Sequence, residues 1–169
     1  IAQICRKEPH RFLGLGTIPM QNTDLAIFEM DRCINELKLS GIEIGSNING
    51  ENLSSKKFHA IFEHAEKLRC SIFVHPWEMM GQKNMQKYWL PWLVGMPAEI
   101  SRAICSIIFG GVLEKYPGLK IIFAHGGGAF PYTVGRIDHG FNVRPDLCAI
   151  DNDKPPSFYL EHFYVDTLV

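Results

Sequence analysis

The five cysteines, Cys5, Cys33, Cys70, Cys105 and Cys148, include no Cys-x-x-Cys pair. That absence excludes a zinc knuckle or dithiol redox motif, and the odd count argues against a disulfide frame. They read as reduced, half-buried thiols of a cytosolic protein. Neither sign of charge is in excess, since 17 Lys and Arg face 18 Asp and Glu for a net charge of −1. Such a balance leaves no electrostatic footprint for nucleic acid or an anionic membrane. Apolar runs fall short of the roughly 20 residues a membrane span needs, and no signal-peptide pattern opens the chain. Gly14 and Gly16 lie inside a strand-like run with no helix opening on a third glycine, so there is no dinucleotide fingerprint. No His-x-His pair occurs either.

What is present suits one globular domain: 169 residues, 46% apolar and 21% charged. Ile1 stands where an initiator methionine would, and Phe163 to Val169 is a strand-like run without a closing element. The expectation is a single incomplete domain over residues 1–169, truncated at both ends.

The chain alternates between two periodicities. Ile1 to Glu8 reads as the tail of a helix stopped by Pro9, and Arg11 to Ile18 as a first strand. From Asp24 to Leu39, Ile27, Met30, Ile34 and Leu37 fall on one helical face, with Asn22 or Thr23 as cap. Ile42 to Gly45 is a short strand. Ser54 is expected to cap a helix carrying Phe58, Ile61, Phe62, Ala65 and Leu68. Ser71 to His75 is a strand ended by Pro76, which cannot donate to a ladder. Residues 76–96 are dense in tryptophan and methionine. A helix from Pro97 to Tyr116, weakened at Gly110 and Gly111, leads to a strand from Lys120 to His125. Pro131 begins a further helix with Val134, Ile137 and Phe141 on one face, residues 144–157 read as a loop, and Phe163 to Val169 is the fifth strand.

Such alternation specifies a parallel sheet, either an open doubly wound sheet or a (β/α)8 barrel. A barrel puts its active site at the carboxyl ends of its strands, where His75 and His125 fall, and takes about 250 residues. The fold expected is therefore α/β, a partial (β/α)8 barrel of about strands 3 to 7.

By default a histidine at a strand end reaches loop backbone. Two aimed into one barrel mouth suggest more, because imidazole ligates zinc and a neighbouring imidazole can take a proton from metal-bound water. One histidine is not a zinc site, which typically has about three protein ligands. Gly126 to Gly128 either brings backbone close to an anion at a helix start or is simply a turn needing positive φ. Arg136 is either solvated or a clamp for a substrate carboxylate. The Trp/Met stretch lines a pocket for a planar conjugated molecule or forms a subunit interface. His59 and His64, five apart on one helix, do not share a face well, His10 lies in a turn, and His139 and His162 have no partner visible in sequence.

Three blocks carry a resemblance: His75-Pro-Trp-Glu-Met-Met-Gly81, Tyr88-Trp-Leu-Pro-Trp-Leu-Val-Gly-Met-Pro-Ala-Glu99, and Phe123-Ala-His-Gly-Gly-Gly-Ala-Phe-Pro131 with Val134-Gly-Arg136. With Pro145 to Cys148 and the final Phe-Tyr-Val-Asp run, they resemble the 2-amino-3-carboxymuconate-6-semialdehyde decarboxylases, metal-dependent barrels of the amidohydrolase superfamily. The resemblance implies His75 as a zinc ligand and His125 as the catalytic histidine that activates metal-bound water. It implies Arg136 as a contact to a small-molecule carboxylate substrate in the neighbouring subunit of a homodimer, with Trp92 and Met79 bordering the pocket. The other Zn2+ ligands, a His-x-His pair and an aspartate, lie outside these residues. The implied activity is non-oxidative decarboxylation in tryptophan catabolism by the kynurenine route, limiting quinolinate, in the cytosol. The alternatives are a catalytically incomplete truncation acting at most as a dimerisation partner, or a related hydrolase or hydratase.

Overall fold

The computed structural model describes residues 1–168, so Val169, the last residue of the expected fifth strand, lies outside the described residues. A first helix, α1 (Ala2–Lys7), precedes strand β1 (Leu15–Thr17). Helix α2 (Thr23–Asp31) runs on into a π-helical turn at Arg32–Glu36 and leads to β2 (Gly41–Gly45). A small antiparallel ribbon, β3 (Asn47–Ile48) and β4 (Glu51–Asn52), then leads through a 3-10 turn to α3 (His59–Leu68). Strand β5 (Ser71–His75) follows, and after the Trp/Met stretch come α4 (Met96–Phe109) and α5 (Val112–Lys115). The chain ends through β6 (Lys120–Phe123), α6 (Phe130–Val143), α7 (Pro145–Cys148) and β7 (Tyr164–Val165).

Strands β1, β2, β5, β6 and β7 form one sheet in that order, every neighbouring pair parallel. Each step between neighbours passes through helix, the connection parallel strands require. The register sets Thr17, Glu43, Phe73, Ile122 and Tyr164 side by side across the sheet. The alternate residues Ile42, Ile44, Ile72, Val74, Ile121 and Phe123 are buried under the helices. The core lies between the sheet's outer face and α2, α3 and α4, with Met30, Phe58, Phe62, Ile100 and Ile104 inside it. The opposite face, carrying Glu43, Phe73 and His75, is less buried, as the inner wall of a partial (β/α)8 barrel would be.

Several boundaries differ from expectation. The first strand shortens to three residues because Arg11 and Phe12 turn back onto Glu8, both amides donating to its carbonyl. Asn22 does cap α2, its Oδ1 accepting from the Leu25 amide. Ser54 caps nothing: its amide donates to Ser106 Oγ, and the helical segment starts two residues later. Strand β6 ends at Phe123, so His125 sits two residues beyond the sheet, and β7 covers only two residues of the expected run. The expected 144–157 loop contains α7 and begins a 3-10 turn at Pro156–Tyr159. Its far end is fastened by buried Tyr159, whose hydroxyl bonds Glu114 and Asn152 and is pushed up to about 12 by burial.

The apolar stretch Pro91–Phe109 is longer than expected: 19 residues of mean hydropathy 1.4, enough by length and composition to cross a membrane. In this fold it is the helix laid across the sheet, with Ile100, Ala103, Ile104, Ile107 and Ile108 buried. Fully burying each large aliphatic side chain contributes about 1.5–3 kcal/mol.

Candidate active site

His75 closes β5 and His125 follows β6, so parallel pairing of the two strands delivers both imidazoles to one end of the sheet. Their ring centroids are 5.3 Å apart, with planes at 59°. His125 adopts φ +56°, and Gly126, Gly127 and Gly128 all follow with positive φ. The glycine run is thus a turn that needs left-handed backbone. At Gly128 a Cβ would also fall 2.3 Å from the Pro97 carbonyl oxygen. Its first amide is already taken, since the Gly126 N–H donates to Asp166 Oδ1 at 2.9 Å. The His125 Nε2 is buried and has no hydrogen-bond partner among the described residues. An orphaned buried nitrogen of this kind costs about 1–3 kcal/mol.

Two clefts flank the histidine pair. His75 lines one of about 550 Å³ together with Thr17, Glu43, Asn47, Trp77 and Glu78. His125 lines the other, of about 570 Å³, with Trp89, Trp92, Met96 and Tyr132. The indoles of Trp89 and Trp92 stack at 5.9 Å and 21° above this second cleft. Trp92, 47% exposed, lines this cleft. Met79 is buried against Gly95 and lines neither cleft. Arg136 is exposed on α6, four residues past Tyr132, and does not line the His125 cleft.

The anchoring residues carry little signal in the sequence. Glu99, in the first turn of α4, is fully buried. Its Oε1 accepts from Ser46 Oγ at 2.9 Å and Asn47 Nδ2 at 3.0 Å, and pairs with Arg102. Its Oε2 accepts from the Met80 amide at 3.0 Å. Burying a carboxylate costs several kcal/mol unless charge and donors offset it, and here four donors do. Ser101 holds the other loop, its Oγ accepting from the Ala129 amide at 2.9 Å and donating to the Pro97 carbonyl at 2.7 Å. Sequence offered one clue: Ser46 and Asn47 directly follow a strand's carboxyl end, where barrel sites are built.

The described residues contain no group of three His, Cys, Asp or Glu able to hold a metal ion. His75 has the chemistry of one donor, but the donor set does not by itself make a metal site. All five cysteines are free thiols, and burial pushes Cys70 up to about 12 and Cys105 to about 11.

The amidohydrolase family profile matches residues 1–168. The chain is 59% identical over all 169 residues to a 2-amino-3-carboxymuconate-6-semialdehyde decarboxylase of Dictyostelium discoideum, covering 47% of that protein. Among solved structures it is similar to the 5-carboxyvanillate decarboxylase of Sphingomonas paucimobilis, with TM-score 0.87 and 28% identity, covering 97% of this chain and 50% of that one. It is also similar to a second 5-carboxyvanillate decarboxylase, from Novosphingobium aromaticivorans and with bound manganese, at TM-score 0.81 and 28% identity over 97% and 49% of the two chains. The chain thus spans about half the length of the relatives it matches. A match over essentially its whole length, with this one-sided parallel sheet and its paired strand-end histidines, means that the chain belongs to the amidohydrolase family.

Proposed function

We propose that the chain forms part of a metal-dependent, non-oxidative decarboxylase acting on 2-amino-3-carboxymuconate 6-semialdehyde. The observation that carries this reading is the His75–His125 pair, two imidazoles in ring contact, one with a buried and unpartnered Nε2. The likeness to the Dictyostelium decarboxylase narrows the substrate. His75 would be this chain's donor to a divalent metal, zinc in our reading, with further donors coming from the rest of a complete barrel. A metal so bound acidifies water and polarises a substrate oxygen.

His125 holds a proton at Nε2 and exchanges it with the reacting system. Protonation at the carbon bearing the departing carboxylate interrupts conjugation there. The carbon–carbon bond then breaks, its electron pair restores the conjugated system, and carbon dioxide leaves. One proton replaces one carbon dioxide, with no oxidant and no organic cofactor. Trp89 and Trp92 offer stacked faces to a planar conjugated substrate, and Met79 backs their loop. Arg136, exposed on α6, would clamp a substrate carboxylate in the site of a second copy within a homodimer. A cytosolic role in the kynurenine route, diverting substrate from quinolinate, belongs to the same reading.

A second reading is favoured by the absence of a three-donor metal group among the described residues. On it, these 169 residues alone are catalytically incomplete and act at most as an association partner. Carbon dioxide trapping with enzymatically generated substrate decides between them. The first reading expects carbon dioxide release that His125→Ala lowers at least about 100-fold. Undiminished turnover in that variant removes His125 from the mechanism, and substrate loss without carbon dioxide points to a hydrolase or hydratase. Metal analysis after gel filtration gives an independent arm, because stoichiometric metal in the isolated chain contradicts the second reading.

A further inference from the structure

We infer that Glu99 is the positioning residue of the site, holding through hydrogen bonds the two loops that frame His75. The inference rests on the reading that His75 and His125 form the active site, and it names a residue that lines neither histidine's cleft. The chain of contacts is continuous. The Trp77 N–H donates to Ser46 Oγ at 3.1 Å, and Ser46 Oγ donates in turn to Glu99 Oε1 at 2.9 Å. Asn47 Nδ2 spends its two hydrogens on the Trp77 carbonyl at 2.8 Å and on Glu99 Oε1 at 3.0 Å. Both polar groups of the Trp77 backbone, two residues past His75, are therefore fixed to side chains that Glu99 holds. Glu99 Oε2 catches the same loop again at the Met80 amide. From the other side, the Ser46 amide donates to the His75 carbonyl at 2.9 Å.

Only a carboxylate suits this position. All four partners are donors and they approach both oxygens, so a glutamine would turn its NH2 towards one of them. Arg102, one helical turn on, balances the buried charge. The first turns of α4 thus brace both histidine loops, through Glu99 on the His75 side and Ser101 on the His125 side.

The test is residue-resolved hydrogen exchange and imidazole NOE measurement on the whole 169-residue chain, wild type against Glu99→Gln and Ser46→Ala. In Glu99→Gln the Trp77 and Met80 amides are expected to exchange about tenfold faster, with α6 protection unchanged. The NOE between the His75 and His125 rings weakens. Ser46→Ala, the milder change, loosens the Trp77 amide and spares Met80, which Oε2 holds directly. A selective loss of that kind is not what a general fall in stability produces. Wild-type protection and NOE in a folded Glu99→Gln, or equal loss at Trp77 and Met80 in Ser46→Ala, overturns the inference. Where the protein turns over substrate, Glu99→Gln lowers kcat about tenfold or more with KM within about twofold. Loosened loops with unchanged kcat support the positioning role and instead overturn the reading of the histidine pair as catalytic.

Discussion

The imidazoles of His75 and His125 meet at 5.3 Å between centroids, although fifty residues of chain separate them. Their contact is fixed by the parallel register of β5 and β6, which pairs Val74 with Phe123 just before each histidine's turn. Each ring faces its own cleft, so the pair forms the wall shared by two spaces.

His125 occupies left-handed backbone and buries an unpartnered Nε2. Left-handed conformation costs an ordinary residue about 1–2 kcal/mol, and the orphaned nitrogen adds about 1–3 kcal/mol. His125→Gly removes both at the expense of some unfolded-state entropy and packing. The expected outcome is a urea midpoint equal to or above wild type, equivalent to a gain of up to about 1 kcal/mol, together with loss of the proposed decarboxylation. A stability loss above about 1 kcal/mol would show that the imidazole is there for packing.

Two glycines, three and ten residues past His125, behave oppositely. Gly128 has φ +62°, and a Cβ there meets Pro97 backbone at 2.3 Å. Backbone cannot yield as a side chain can, so Gly128→Ala should cost more than about 2 kcal/mol. Gly135 lies within α6 with nothing within 4 Å of an added Cβ. Gly135→Ala should therefore raise stability by about 0.5–1 kcal/mol, read from the urea midpoint of the isolated chain.

The central strands were legible because β-branched and aromatic runs stop at proline or glycine, as at His75–Pro76. The meeting of the histidines followed from the rule that barrel sites gather at strand carboxyl ends. Glu99 shows in the sequence only as an acidic residue two positions after Pro97. Its role depends on Ser46 and Asn47, more than fifty residues away, and no local period reports such a contact. The burial of Met79 was illegible for a related reason: the loop after Pro76 has neither helical nor strand period, so its buried side could not be told from its exposed one.

His59 on α3 is held below its ordinary 6.5, first by burial and then by Lys115, whose Nζ stands 3.2 Å from Nδ1. The folded state thus binds this proton less readily than the unfolded chain. Stability tied to His59 is intact above about 6.5, declines as pH falls through that value, and stops declining below the folded pKa. Glu29, Glu63 and Glu114 are held below their ordinary 4.5 by Arg32, Lys67 and Lys154, so they titrate outside this window. Urea midpoints at pH 7.5 and 5.5 should differ less in His59→Gln than in wild type. An equal difference in both proteins would assign the slope to other groups.

The stacked indoles give the site an optical reporter. Trp89 and Trp92 line the His125 cleft with Tyr132, and their near-parallel planes at 21° leave an aromatic face towards it. A planar aromatic dicarboxylate such as phthalate, standing in for the conjugated substrate, should stack there and quench tryptophan emission as it is titrated. Stacking of this kind is worth about 0.5–1.5 kcal/mol, so Trp92→Ala should raise the Kd by up to about tenfold. Trp92 is nearly half exposed, so its removal should leave the urea midpoint within about 0.5 kcal/mol of wild type. Weaker quenching with unchanged Kd would mean only that a chromophore was lost. A Kd unchanged in both Trp89→Ala and Trp92→Ala would place the ligand outside this cleft.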